Sequence, residues 1–445
     1  MKRTILTILL AAGMVLTAQA QWLRVWKGEE STRYAMSDVK TLPYEAAGST
    51  FTIGEESYST AEIDSIIIIN AVTITWTDEG ATVDIPESVE GVTAKIDGGY
   101  VTITNKNAQR EQEFILQGSS KDGAFTYNGV YKTKFHLNGI NLTSTKGSAM
   151  DIECGKRIDL ILEDGTSNSF TDVAKGKQTA AFYCKGHMEI SHGGSLTITG
   201  KTNRALSVKE YLFLKKTCGA ITINGALGDG IRAGEYFKMN GGDLVIKNVK
   251  GDGLQVETDY YSDEEENGQF IMNGGSIYIS MMNESVKGIR LDEAEVPTDG
   301  NGKPLPYDVT PEMYLNDGTI TIDVDEEADG VKCIASDGNL TIGTEETAPT
   351  ITLNVDGGMD DDDERATGLK AGTKDTNTLW IAGGTTTVNA TGDGARGVRA
   401  YKLRATPGGT LIVNSTGKSS QGIKLNELYI SEGGTVKGKF IIAAE

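Results

Sequence analysis

Gly228 to Glu257 reads GDGIRAGEYFKMNGGDLVIKNVKGDGLQVE, and it begins and ends on the same phrase: Gly-Asp-Gly, an aliphatic residue, a long polar residue. Between the two copies come Asn240-Gly241-Gly242 and a short alternating segment with Leu244 and Ile246 on one face. A phrase repeated at near-constant spacing decides a fold before any local propensity does. The glycine ahead of the short segment recurs at Gly194, Gly219, Gly242, Gly275, Gly318, Gly384, Gly409 and Gly434, and four of these intervals are 23 or 25 residues. The intervals from Gly242 to Gly318 carry insertions, and beyond Gly318 the register blurs. Behind the glycines stand Leu196-Thr-Ile198, Ile221-Thr-Ile223, Ile277-Tyr-Ile279, Ile320-Thr-Ile322 and Leu411-Ile-Val413, the alternation of a half-buried strand. Gly, Asp and Asn between them supply the turns.

A period of twenty-odd residues with short β-branched strands and almost no helical pattern points to stacked repeats, none of which buries its apolar face alone. The Leu/Asn consensus of leucine-rich repeats is absent, and propeller blades need about 40 residues each. The expected fold class is therefore all-β: a right-handed, single-stranded parallel β-helix, or β-solenoid, with one short strand after each glycine and a small N-terminal β unit.

Lys2 and Arg3, the apolar run Ile5 to Leu16 and Ala18-Gln19-Ala20 read as a signal peptide over residues 1–20. Its removal takes the net charge from −20 to −22, which disfavours nucleic-acid partners. No later apolar run approaches the ~20 residues of a membrane span. An exported protein is expected, periplasmic, extracellular or on the cell surface.

Residues 21–70 carry an internal echo: Arg33 to Leu42 matches Ser57 to Ile66 in pattern, each after a short strand, Leu23 to Trp26 and Thr50 to Ile53. They predict a small β unit whose Trp22 and Trp26 either pack or form a glycan platform. Residues 71–145 predict a cap and the first coils, and 146–445 the repeat domain. Cys154, Cys184, Cys218 and Cys333 show no C-x-x-C spacing, which argues against structural zinc. They suit small interior positions, and export would permit one disulfide.

Aligning the repeats on the glycine that follows each Asp generates two columns. The position before it reads Arg204, Asp229, Asp252, Lys287, Asp329, Thr367, Arg396 and Gln421. The position two after it reads Arg232, Gln255, Arg290, Lys332, Lys370, Arg399 and Lys424, almost wholly basic in an acidic chain. Cations stacked about 4.8 Å apart repel unless something neutralises them. One neutraliser is internal: the Asp column with Glu235, Glu257 and Glu427 as an ion-pair lattice. The other is external: the carboxylates of a uronate polymer along the ladder, with Arg232, Arg290, Lys332, Lys370, Arg399 and Lys424 as binding residues. Stacked carboxylates at Asp229 and Asp252 invite calcium, joined by Asp329 and, offset by three residues, Asp393. The bland reading of Asp-Gly is a turn.

Two insertions, Thr258 to Gly268 and Asp292 to Met313, and a third acidic loop, Asp356 to Glu364, leave the repeats where binding residues tend to concentrate. Tyr236, Tyr401 and Tyr429 lie near the corners without forming a row. Catalytic signals are thin: the histidines are His136, His187 and His192, and no nucleophile or zinc motif occurs. A lyase would place its base at Lys287.

From Leu137 the order of segments becomes specific: Leu137-Asn-Gly-Ile-Asn-Leu142, Ser148-Ala-Met-Asp-Ile152, Leu162-Glu-Asp-Gly-Thr-Ser-Asn168, Ala181 to Ile190, His192-Gly-Gly-Ser-Leu-Thr-Ile198, then the Gly-Asp-Gly repeats. Over roughly residues 95–435 this series resembles the secreted bacterial carbohydrate-binding family with a pectate-lyase-like parallel β-helix. The resemblance implies bound calcium and binding of plant-type or acidic polysaccharide without established catalysis. Two alternatives stay open: a calcium-dependent pectate-type lyase, and a structural or adhesin-like surface protein without a glycan ligand.

Overall fold

The computed structural model describes residues 21–27, 30–35, 50–53, 56–59, 61–173, 180–372 and 374–442. The signal-peptide segment lies outside the described residues. All regular structure among them is β-strand. Contacts divide the chain into one unit of Met1–Thr73 with Val83–Glu90 and a second of Ile74–Thr82 with Gly91–Glu445.

In the first unit, Gln21–Lys27 lies between Glu30–Ala35 and Ser65–Asn70, antiparallel to both, and Thr50–Ile53 pairs with Glu56–Ser59 as a hairpin. Leu23, Val25 and Ile53 form its core, with Tyr34, Tyr58, Ile63 and Ile66 packed on it. Tyr34 and Tyr58 hold equivalent places in the sequence echo. Their rings meet edge to face and their hydroxyls share a hydrogen bond. Trp26 is half-buried with the Arg24 guanidinium 5.8 Å from its ring, a packed position.

The second unit corrects the expected fold class. Its strands fall into three rows. One row forms a 14-stranded sheet from Val92–Asp97 to Phe440–Ile442, parallel throughout except at its first pairing. The other two rows form a 22-stranded sheet, joined where Thr133–Thr143, Gln269–Met281 and Glu312–Val324 pass from one row into the next. The sheets face one interior: a Cβ placed on Gly253 of one would lie 3.1 Å from Ile279 of the other. The unit is thus a closed, barrel-like wall of parallel strands with outer strands. It is not the right-handed single-stranded parallel β-helix inferred from spacing. The spacing misled because the glycine phrase marks one row only. Strands such as Ile231–Ala233 and Tyr236–Met239 are too short to show a period of their own.

Inward positions stack by register. Leu254, Ile289, Ile334, Leu369, Val398 and Ile423 follow one another through the 14-stranded sheet, all fully buried. Each such side chain contributes about 1.5–3 kcal/mol of burial. The glycine column is equally regular. Gly275 and Gly318 sit at φ 88° and 97°, where the long strands bend, and a Cβ on either would clash with the carbonyl oxygen of the preceding glycine in the column. Pro349 holds the rung between Gly318 and Gly384, so Gly384 is two repeats on. Outside, asparagines form ladders: Asn414 Nδ2 donates to Asn389 and Asn389 to Asn354, at 2.9 and 2.8 Å. The four cysteines are free and buried.

Candidate functional site

The outward side chains of the 14-stranded sheet carry the charge. Register places Ser207, Arg232, Gln255, Arg290, Ala335, Lys370, Arg399 and Lys424 in one row. The expected cation ladder is therefore correct at five of its six members and wrong at Lys332. That residue lies three positions away, in the row of Lys287, Thr367, Arg396 and Gln421, and Ala335 takes its place. The slip has a local cause. In Asp252-Gly253-Leu254 the phrase runs straight into the wall strand, whereas three further residues, Val331, Lys332 and Cys333, separate Asp329-Gly330 from Ile334, the equivalent of Leu254. Asp329 thus leaves the column of Asp229 and Asp252 and takes the offset position that Asp393 also holds, three residues before Arg396.

The first half of the row, with Arg204 of the neighbouring column, is internally neutralised. Arg204 Nε donates to Asp229 Oδ2 at 2.9 Å, Arg232 pairs with Glu257, and Arg290 donates to Asp252 Oδ2 at 2.9 Å and to Asp292. Burial works against the Arg290 charge, but Asp252 and Asp292 outweigh it and raise its pKa. The remaining oxygens of the Asp pair are also taken. Asp252 N–H donates to Asp229 Oδ1 at 3.0 Å, and Lys287 N–H to Asp252 Oδ1 at 2.7 Å. With all four oxygens accepting, Asp229 and Asp252 form an ion-pair lattice. Asp329 and Asp393 each accept one backbone N–H, from Gly358 at 2.6 Å and Lys418 at 3.0 Å. Lys287 stands beside Lys332 with no carboxylate pair described.

The second half is different. Lys370, Arg399 and Lys424 occupy consecutive rungs, and no ion pair joins any of them to the described residues. Arg396, 8% exposed, donates to the neutral Gln421 at 2.9 Å. Burial, with Arg399 and Arg365 nearby, pushes its pKa down to about 10. Burial also lowers Lys370, and the neighbouring cations Lys332 and Arg399 add to it against the pull of Asp337. Glu364 answers part of this charge. It pairs with Lys332 at 3.0 Å, and that bond, with Lys370 and Arg399 behind it, holds its carboxyl below the usual range. Lys332, Lys370, Arg396, Arg399 and Lys424 thus form a cation-rich patch on a chain of net charge −20.

Upstream on the same face lies a groove of about 420 Å³ lined by Arg232, Gln255, Arg290, Asp292, Tyr260 and Asp337, among others. The Thr258 to Gly268 insertion forms one bank. Tyr260 packs on Tyr261 and Tyr307 at 5.0 and 5.1 Å, and Tyr261 is 80% exposed. Asp337 links groove and patch. Patch and groove can together hold an extended, anionic, hydroxyl-rich ligand: cations for carboxylates, aromatic faces for sugar rings. Of the corner tyrosines, Tyr236 is buried in a stack, and Tyr429 shares the Arg404 guanidinium with Trp380.

The sequence profile of the carbohydrate-binding domain-containing proteins matches residues 97–417. A carbohydrate-binding domain-containing protein of Acetivibrio thermocellus (strain ATCC 27405) is 26% identical over 125 residues, covering 23% of this chain and 43% of the relative. The chain thus spans less than half the length of that curated relative. The polysaccharide lyase-like protein from C. thermocellum, solved as a gadolinium derivative, superposes with a TM-score of 0.45 at 20% identity, over 63% of this chain and 96% of that one.

Proposed function

Because the chain belongs to the family of carbohydrate-binding domain-containing proteins, we propose that it binds an anionic, uronate-type polysaccharide along the outward face of the 14-stranded sheet, without cleaving it. The observation that carries this is the unneutralised half-row: Lys370, Arg399 and Lys424 on consecutive rungs with Arg396 beside them, while the upstream arginines Arg204, Arg232 and Arg290 each have a carboxylate. A polymer of regularly spaced carboxylates relieves the mutual repulsion of such a row, and each charge-assisted bond contributes about 1.5–3 kcal/mol. The groove with Tyr260 and Tyr261 receives the next sugars by stacking. Calcium enters as an ion bridging polymer carboxylates to the exposed run Asp361 to Asp363, which leads into Glu364. Export would bring the protein to such polymers.

The test is calorimetric titration of the mature chain with polygalacturonate and with a neutral polymer, in calcium and then in chelator. Uronate binding that is lost in the double variant Lys370→Met/Arg399→Met supports the proposal. Equal binding of the neutral polymer, or an unchanged double variant, refutes it. Weakening by chelator supports the bridging role of calcium. Near-ultraviolet absorbance from unsaturated products would instead identify a lyase, and folded protein that binds no polymer would leave the structural, adhesin-like alternative.

A further inference from the structure

On the 22-stranded sheet, away from the basic row, three repeats and one insertion converge. His187, Tyr211 and Tyr236 stack face to face, with ring centroids 4.4 and 4.5 Å apart. One residue earlier in consecutive repeats stand Glu210 and Glu235. His187 Nε2 contacts Glu210 Oε2 and lies 3.8 Å from Glu235 Oε2 and 3.9 Å from Glu264 Oε1. The ligating atoms of His187, Glu210 and Glu235 fall within 4.8 Å of one another. Glu235 is 6% exposed, and its Oε2 points into this cluster without a hydrogen-bond donor. A buried carboxylate oxygen left unsatisfied is costly, and one imidazolium leaves three converging carboxylates in charge excess. Burial raises the Glu235 carboxyl. Burial alone would lower His187, yet Glu210, with Glu235 and Glu264, raises it.

We propose that His187, Glu210 and Glu235, with Glu264 from the insertion, form a site for one divalent cation of the zinc class. One imidazole with carboxylates is a donor set for zinc and its first-row neighbours; calcium takes oxygen ligands only. The cation fills the position that the orphaned Glu235 oxygen faces. It also ties the insertion to the wall at its root, where Gly268 N–H already donates to the Glu235 carbonyl at 2.8 Å. Tyr260 and Tyr261 are carried on the same insertion, so the metal fixes one bank of the groove.

The experiment is titration of the mature, chelator-treated protein with Zn²⁺ alone, followed by calorimetry, with Co²⁺ absorption reporting ligand geometry. The expected result is one ion per chain, not displaced by excess Ca²⁺. His187→Ala and Glu235→Gln each weaken binding by on the order of 100-fold, at or beyond the loss seen for outer-shell ligand partners. Glu264→Gln, on a partly exposed insertion, leaves the fold intact and weakens binding less. Folded wild-type protein that takes up no zinc overturns the site, as does zinc binding unmoved by both His187→Ala and Glu264→Gln.

Discussion

The two halves of one outward row follow the same register and end in opposite electrostatic states. At Arg232 and Arg290, and at Arg204 in the neighbouring column, each arginine meets a carboxylate on its own or the next rung, and Asp229 and Asp252 also hold backbone N–H groups of the following repeat. From Lys370 to Lys424 the cations face one another, and Arg396 donates to an amide, with Arg399 and Arg365 nearby and Glu364 opposing them. The first half is a fastener and the second is an unfilled demand for anions. Stacking alone does not decide which; the occupant of the neighbouring column does, Asp upstream against Thr367, Arg396 and Gln421 downstream.

The contrast breaks most clearly at Asp252. Asp252→Ala strips Arg290 of a buried partner, though not of Asp292, and leaves the Lys287 N–H unmet, so urea unfolding should show a loss of about 1–3 kcal/mol. Arg399→Met should leave stability unchanged or raise it. A smaller loss at Asp252 than at Arg399 would reverse the assignment of the halves. Ligand affinity sharpens the comparison next. Arg399→Met should weaken polygalacturonate binding about tenfold, the loss of one charge-assisted bond, while Arg232→Met, whose charge is already spent on Glu257, should change it little. Added salt should lower the affinity of the wild type more than that of Arg399→Met.

The smallest effect is in pH. Lys370 has a folded pKa below its ordinary value, so the folded state holds that proton less tightly than the unfolded chain. Below the folded pKa the penalty is fully present; it is relieved as pH rises from there to the usual lysine value. Thermal melts should therefore find Lys370→Met more stable than wild type at neutral pH, with the gap closing as the solution is made alkaline. A constant gap would mean that charge is not the cause.

Much of this was legible in the chain. The glycine column named the rungs, and five members of the basic row align because each stands two residues after a glycine at the start of its strand, Gly230, Gly288, Gly368, Gly397 and Gly422. Two things were not legible. Strands of three or four residues carry no visible period, so two of the three rows were missed and the wall was taken for a single-stranded β-helix. The phrase Asp-Gly also does two jobs, meeting the wall directly at Asp252 and standing three residues off at Asp329 and Asp393, which misplaced Lys332. The His187 cluster was hidden for a third reason: its members come from three repeats and a loop. Aligning His187, Tyr211 and Tyr236 as one column, with Glu210 and Glu235 a step before, would have exposed it.

The glycine column has an evolutionary consequence. Each glycine from Gly219 to Gly318 abuts the backbone of its predecessor, so a methyl group at one rung presses on a neighbour that is itself unable to retreat. No single partner substitution can make room, because the obstacle is main chain and not side chain. Along that run substitution is closed off rung by rung, whereas the next rung, beyond Gly318, takes Pro349. Novelty is then left to the corners, where the insertions already are.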